Sequence, residues 1–215
     1  TAQAVLLEDE RAREGENKAA LTSRLAGEDV SWDWTDVIGG MAQSVLEAST
    51  LADIIVLNRK LDAYSYPDMR DLASDIVMKA RAPIIAVPET QKSFGTERPM
   101  IAWDGSESCA ATMRACVPLL KLGTEVRIFT AIEKSNGLPA TAAAQYLSRH
   151  GIRATIEAVE RGGHDADQLI AAHADGCKAD YVLMGAYGRG RLRETFGGVT
   201  KRLLGSSKVP LILGH

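Results

Sequence analysis

The chain has 215 residues, 46% of them hydrophobic and 25% charged, with a mean hydropathy of -0.08. That composition belongs to a globular protein with a sizeable core and excludes a disulfide-stapled miniprotein or a disordered polymer; no apolar run approaches the roughly 18 residues of a membrane span. The net charge of -3 hides an asymmetry, since residues 1–98 carry net -6 and residues 99–215 net +3.

In chain order, Trp32 and Trp34 alternate with Ser31 and Asp33, the pattern of a half-buried strand packed in a core or between domains. Gly39-Gly40 leads into a helical stretch at Met41–Ala48, followed by the apolar runs Ile54–Leu57 and Ile84–Val87. Pro88–Glu97, polar and aperiodic with Gly95, has the composition of a linker. Beyond it, strands and helices alternate: strand Met100–Trp103, helix Ser106–Leu120, strand Val126–Ala131, helix Pro139–His150, strand Ala154–Val159, helix His164–Ala174, strand Tyr181–Met184, helix Val199–Leu204 and strand Leu211–Leu213. Ser106 caps the first of these helices, and Gly151 stands just past the end of the second. Apolar runs without polar alternation suit a parallel sheet covered on both faces, so the class is an open α/β fold.

The chain also repeats itself. Ala52-Asp53 with its apolar run recurs 127 residues later at Ala179-Asp180, and Pro83 with Ile84–Val87 recurs at Pro210 with Leu211–Leu213. Gly39-Gly40 before a helix recurs as Gly162-Gly163. We therefore expect a tandem protein, with a first domain at 1–90, a linker at 91–98 and a second domain at 99–215. The counterpart of strand Met100–Trp103 would fall before Thr1, so the first copy lacks its opening strand and helix; roughly thirty further residues are expected upstream. The two closing strands are expected near each other at a pseudo-twofold interface.

The motif that carries chemistry is Gly185-Ala-Tyr-Gly188-Arg-Gly190, continuing through Arg191, Arg193 and Glu194 to Gly197-Gly198-Val199-Thr200. It follows a buried strand and opens a helix, where backbone amides and the helix start can surround an oxyanion at the carboxyl edge of the sheet. A glycine-rich solvent loop is the alternative. No Walker sequence follows, and the spacing is not a dinucleotide fingerprint. The first copy has Asn58-Arg-Lys-Leu61 at the equivalent place, with no glycine between Gly40 and Gly95, so no tight phosphate loop is expected there.

Three pieces resemble the universal stress protein family in its tandem form: Ile101-Ala-Trp-Asp-Gly-Ser106, Gly185-x2-Gly188 with the distal glycines, and Val209-Pro210-Leu-Ile-Leu213. The resemblance implies two flavodoxin-like parallel sheets of strand order 3-2-1-4-5, intramolecular domain pairing with homodimerisation also open, and a stress-related or regulatory binding module. In one subgroup of the family an ATP site is formed by a GxxG-x9-G[ST] loop. Carried over, Asp104 contacts the adenosine, Ala131 lines the base pocket, and Met184, Gly185, Gly188 and Gly190 follow the ribose and phosphates. Gly197, Gly198, Val199 and Thr200 form the distal end, where the family's Ser or Thr is missing: the hydroxyl position is Val199 by loop length and Gly198 by the helix that follows. The cofactor implied is ATP or another adenine nucleotide with its Mg.

Two rival functions stay open, a slow ATPase or phosphotransferase using Glu194 or Asp104, and a partner-binding protein with no nucleotide. Catalytic residues are not assigned. His164 and His173 lack metal-ligand spacing, so no protein-bound metal is expected. Cys109 and Cys116, seven apart, share one helix face as core residues, whereas Cys177 sits beside Gly176 in a turn. Three cysteines without CxxC spacing and no basic, apolar leader point to the cytoplasm. An acidic chain without aromatic interleaving is not expected to bind nucleic acid, nor a membrane.

Overall fold

The computed structural model describes residues 2–37, 40–59, 69–132, 137–186 and 198–215. Two compact units divide the chain, residues 1–38 and 39–215.

The smaller unit has helix α1 (Ala2–Leu25), absent from the sequence reading because its large apolar residues, Val5, Leu6, Leu7, Leu21 and Leu25, stand only near its ends and leave its middle polar. A segment without helix or strand follows at residues 30–37. Lys18 Nζ bonds Asp36 Oδ2 at 2.8 Å and stands 5.0 Å from the Trp34 ring centroid, while Trp34 Nε1 donates to Asp36 at 2.5 Å. The half-buried strand expected at Trp32 and Trp34 is corrected: these residues are in no strand and are 38% and 39% exposed. Alternation specifies an extended backbone, but a strand also needs a neighbour to bond its amides.

The larger unit runs α2 (Met41–Ala48), β1 (Ile55–Asn58), α3 (Met69–Lys79), β2 (Ile84–Val87), β3 (Pro99–Ala102), α4 (Glu107–Ala115), α5 (Val117–Leu120), β4 (Val126–Ile132), α6 (Ala140–Arg149), β5 (Ala154–Glu160), α7 (Ala166–Gly176), β6 (Tyr181–Gly185), α8 (Gly198–Ser206) and β7 (Leu211–Gly214). The single helix expected over Ser106–Leu120 is two, because Pro118, with no amide proton to continue α4, stands in the first turn of α5 after the break at Cys116. Ser106 Oγ accepts from Cys109 N at 3.1 Å, capping α4 as its residue type demands. Helix α6 ends on Gly151 at φ +78°; Gly151 N donates to Ser148 O and Ile152 N to Leu147 O, both at 3.0 Å, which satisfies the helix's last carbonyls.

All seven strands form one sheet of order β1-β2-β7-β6-β3-β4-β5. Counted from β3, the last five follow the order 3-2-1-4-5, all parallel. Side chains of β3, β6 and β7 alternate between two cores. Met100, Val182 and Leu211 face α3, α7 and α8, whereas Ile101, Leu183 and Ile212 face α4, α5 and α6. Continuous apolar runs are what burial on both faces requires.

The expectation of two sheets is corrected to one continuous sheet, because β2 and β7 pair antiparallel, Ile84 to Leu213, Ile85 to Ile212 and Ala86 to Leu211. Each closing strand would otherwise leave a row of amides and carbonyls unpaired. The pairing within β1–β2 matches that within β6–β7 at an offset of 127: Ile55 faces Ile84 as Val182 faces Leu211, and Asn58 faces Val87 as Gly185 faces Gly214. The flanking bonds match too, Ile55 N to Pro83 O with Val182 N to Pro210 O, and Arg59 N to Val87 O with Ala186 N to Gly214 O. Ile85 and Ile212, 127 apart, lie opposite one another, so a local twofold runs between them. The correspondence stops at β1: Val56 is 62% exposed, whereas its counterpart Leu183 is fully buried beneath α4.

Candidate functional site

Because β6, β3 and β4 are adjacent and parallel, their carboxyl ends share one edge of the sheet, where open α/β folds bind ligands. That edge brings together Asp104, Ala131 and Gly185. Asp104 follows β3, is exposed, and its Oδ1 accepts from Ser106 N at 2.9 Å. Gly105 turns the chain at φ +74°, which favours glycine. Across this turn lies Leu138, whose amide donates to Gly105 O at 3.0 Å and whose carbonyl accepts from the Trp103 indole at 2.8 Å. Ala131 is half-buried near the end of β4.

Met184 packs its side chain into the core, so only its backbone is available to the edge. Gly185 is buried against α4, and a Cβ there would lie 2.4 Å from Cys109 N. The first glycine of the motif thus lets a helix approach the strand, a role the sequence reading did not assign. Gly188, Gly190 and Gly197, with Arg189, Arg191, Arg193 and Glu194, lie outside the described residues.

Helix α8 opens at Gly198, which is exposed and has no positive φ. One turn on, Arg202 donates from Nε to Asp167 Oδ1 at 2.8 Å, with Nη2 2.6 Å from the same oxygen. Its Nη1 lies 2.8 Å from where a Gly198 Cβ would stand. Asp167 belongs to the first turn of α7, so the guanidinium ties the starts of two helices together. The Asp167 hydrogen bond holds the Arg202 pKa above its ordinary value. Val199 is half-buried, and Thr200, 3% exposed, points into packed protein.

A second polar cluster, which the sequence reading missed, joins β4, β5 and α7. Glu157 accepts from Arg127 Nη1 at 2.6 Å and bonds His173, whose ring stacks on Phe129 at 4.5 Å. Burial opposes the Glu157 charge, but the bonds from His173 and Arg127 prevail and hold its pKa below the usual carboxylate range. Among the described residues no group of three or more His, Cys, Asp or Glu could hold a metal ion, and no helix is long and apolar enough to cross a membrane.

The cysteines divide by burial. Cys109 and Cys116 share one core, where desolvation pushes both thiols up to about 12, and Cys177 is partly exposed in the turn after α7. At about pH 8 an aromatic disulfide reagent is expected to label Cys177 first in the folded chain and the other two only on denaturation. Cys177→Ser should remove the fast phase; a fast phase surviving that change would contradict the burial of Cys109 and Cys116.

A mainly parallel α/β sheet whose last five strands follow the order 3-2-1-4-5 defines a flavodoxin-like fold. Residues 96–214, more than half of the chain, match the model of the universal stress protein family, and the chain belongs to that family. Among solved structures, a universal stress protein from Archaeoglobus fulgidus is similar at a TM-score of 0.68 and 15% identity, over 96% of this chain and 76% of that one. A functionally unknown protein from Pseudomonas aeruginosa is similar at 0.56 and 17%, over 94% and 77%. No curated protein matches by sequence.

Proposed function

We propose that this universal stress protein is a cytoplasmic regulatory binding module that takes an adenine nucleotide in its second half. The observation that carries the reading is the start of α8 at Gly198, tied through Arg202 and Asp167 to the start of α7, on a connection whose sequence is rich in glycine and arginine. A helix start presents free amides and partial positive charge to phosphate. Asp104 is exposed at the same edge to meet the adenosine, and Ala131 is small enough to border the base. Magnesium would arrive with the nucleotide. The first half is read as a degenerate copy of the same domain, supported by the shared 127-residue register of β1–β2 and β6–β7.

Thermal shift with ATP or ADP tests the site, since binding to the native state alone adds about 2.7 kcal/mol at 100 times the dissociation constant. Gly188→Val should abolish the shift, and Leu61→Val in the first half should leave it. Gly198→Ser should tighten binding about fivefold, because a phosphate-bonding hydroxyl is worth about 1 kcal/mol; the crowded neighbour there is the far end of the flexible Arg202 side chain. No shift in any variant, and no nucleotide copurifying, would favour a partner-binding protein. Steady phosphate release that Glu194→Gln removes would instead favour an ATPase or phosphotransferase.

A further inference from the structure

Arg59 stands one residue past β1, 127 positions before Ala186, which occupies the matching place past β6. Ala186 leads into the glycine-rich stretch; Arg59 belongs to Asn58-Arg-Lys-Leu61, which has no glycine. The Arg59 side chain is not spread over the surface. It is 6% exposed, and its guanidinium donates to Leu203 O at 3.0 Å and to the carbonyls of Leu204 and Ser207. These carbonyls lie at and just past the end of α8, where a helix carries partial negative charge; Leu203 O also accepts from Ser207 N at 2.8 Å, so Arg59 adds a second donor there. Burial pushes the Arg59 pKa down, yet a guanidinium stays charged at any physiological pH.

Since β2 and β7 run antiparallel, the carboxyl ends of β1 and β6 lie at opposite edges of the sheet. Helix α8, about 13 Å long, reaches from one toward the other. Its first residue receives the glycine-rich connection, and its last turn is held by the first half.

We propose that Arg59 is a positioning residue through which the first half sets α8, and with it the helix start at Gly198, for phosphate. This rests on the nucleotide reading above and adds regulation to it: at the edge where the first half would keep its own ligand loop, it grips the helix of the second half. A partner or ligand that draws Arg59 off these carbonyls weakens nucleotide binding without touching the nucleotide.

The test compares the full chain with Arg59→Met and Arg59→Lys, by titration calorimetry with ADP and by hydrogen exchange across residues 198–206. Arg59→Met is expected to weaken ADP at least about fivefold, at the lower end of ordinary site-to-site coupling, and to speed exchange in α8 while the chain still melts cooperatively. Arg59→Lys, which keeps the charge, should recover part of both. A lower melting temperature with unchanged ADP affinity and unchanged α8 exchange would make Arg59 merely structural and overturn the proposal. If the wild-type chain takes up no ADP, the nucleotide reading falls on its own, and the grip is judged by exchange: faster in Arg59→Met upholds it, unchanged overturns it. Should Arg59→Met not fold, Arg59→Lys with wild-type affinity and exchange overturns it equally.

Discussion

Replacing Gly185 by alanine is expected to destabilise the protein by about 3 kcal/mol or more, an overpacking penalty at the upper end of its range. The added Cβ would lie 2.4 Å from Cys109 N, 2.7 Å from Ser108 Oγ and 2.8 Å from Cys109 Cα. A serine side chain can rotate away, but two of these atoms are backbone in the first turn of α4. The helix itself must therefore lift from β6, and with it Cys109 and Met113 from the core they share with Tyr181 and Leu183. Lifting α4 also moves Ser106 and the Asp104 turn, so any nucleotide affinity should fall with stability. The measurement is thermal denaturation followed by circular dichroism, with Gly176→Ala as control. Gly176, the last residue of α7, has no atom within 4 Å of where an alanine methyl would stand, and alanine there should be neutral or stabilising by up to about 1 kcal/mol. A Gly185→Ala protein that melts with the wild type would mean that α4 does not press on β6 as described.

Ile212→Asp is expected to leave no folded protein. Ile212 is fully buried in the middle of β7, opposite Ile85 of β2 and beside Leu183 of β6, so a carboxylate there loses its water and enters an apolar core. The cost of about 4 kcal/mol or more approaches the whole stability of an ordinary domain, roughly 5–15 kcal/mol. Val56→Asp supplies the contrast. Val56 pairs with Ile85 from the other side but is mostly exposed, and the change should cost about 1 kcal/mol or less, within the span of strand preferences. Expression and urea denaturation of the two variants decide the matter. A stable Ile212→Asp chain would mean that β2 and β7 are not joined in solution.

The second half was legible almost element by element. Its inner strands β3, β6 and β7 are apolar runs with both faces buried, Ser106 is a helix cap, and Gly151 is a helix stop, so the residues of each of these segments state its conformation. The family could be read from the same stretch, because Asp104-Gly-Ser106, the glycines and Val209-Pro210 are local patterns at fixed spacing. Trp32 and Trp34 misled for the complementary reason: alternation describes how a chain would lie if a neighbour were present, and says nothing of whether one is. Gly185 carried a signal read for only one of its two uses, since a missing side chain serves a ligand and a packed helix equally well.

What the sequence by itself determined is the alternation of strands and helices from 99 to 215, their ends to within about two residues, the 127-residue echo and the motif that marks the family. Those properties depend on side-chain chemistry at short range, where period and capping speak directly. Only the tertiary structure decided that β2 and β7, expected near each other from the repeat, zip directly into one sheet, and that Arg59, which the sequence shows merely as a residue spoiling a glycine loop, grips a helix 144 residues away. Strand pairing is made by backbone groups that every residue carries, and a long arginine can reach any carbonyl that folding brings near, so neither contact leaves a pattern in the order of the residues.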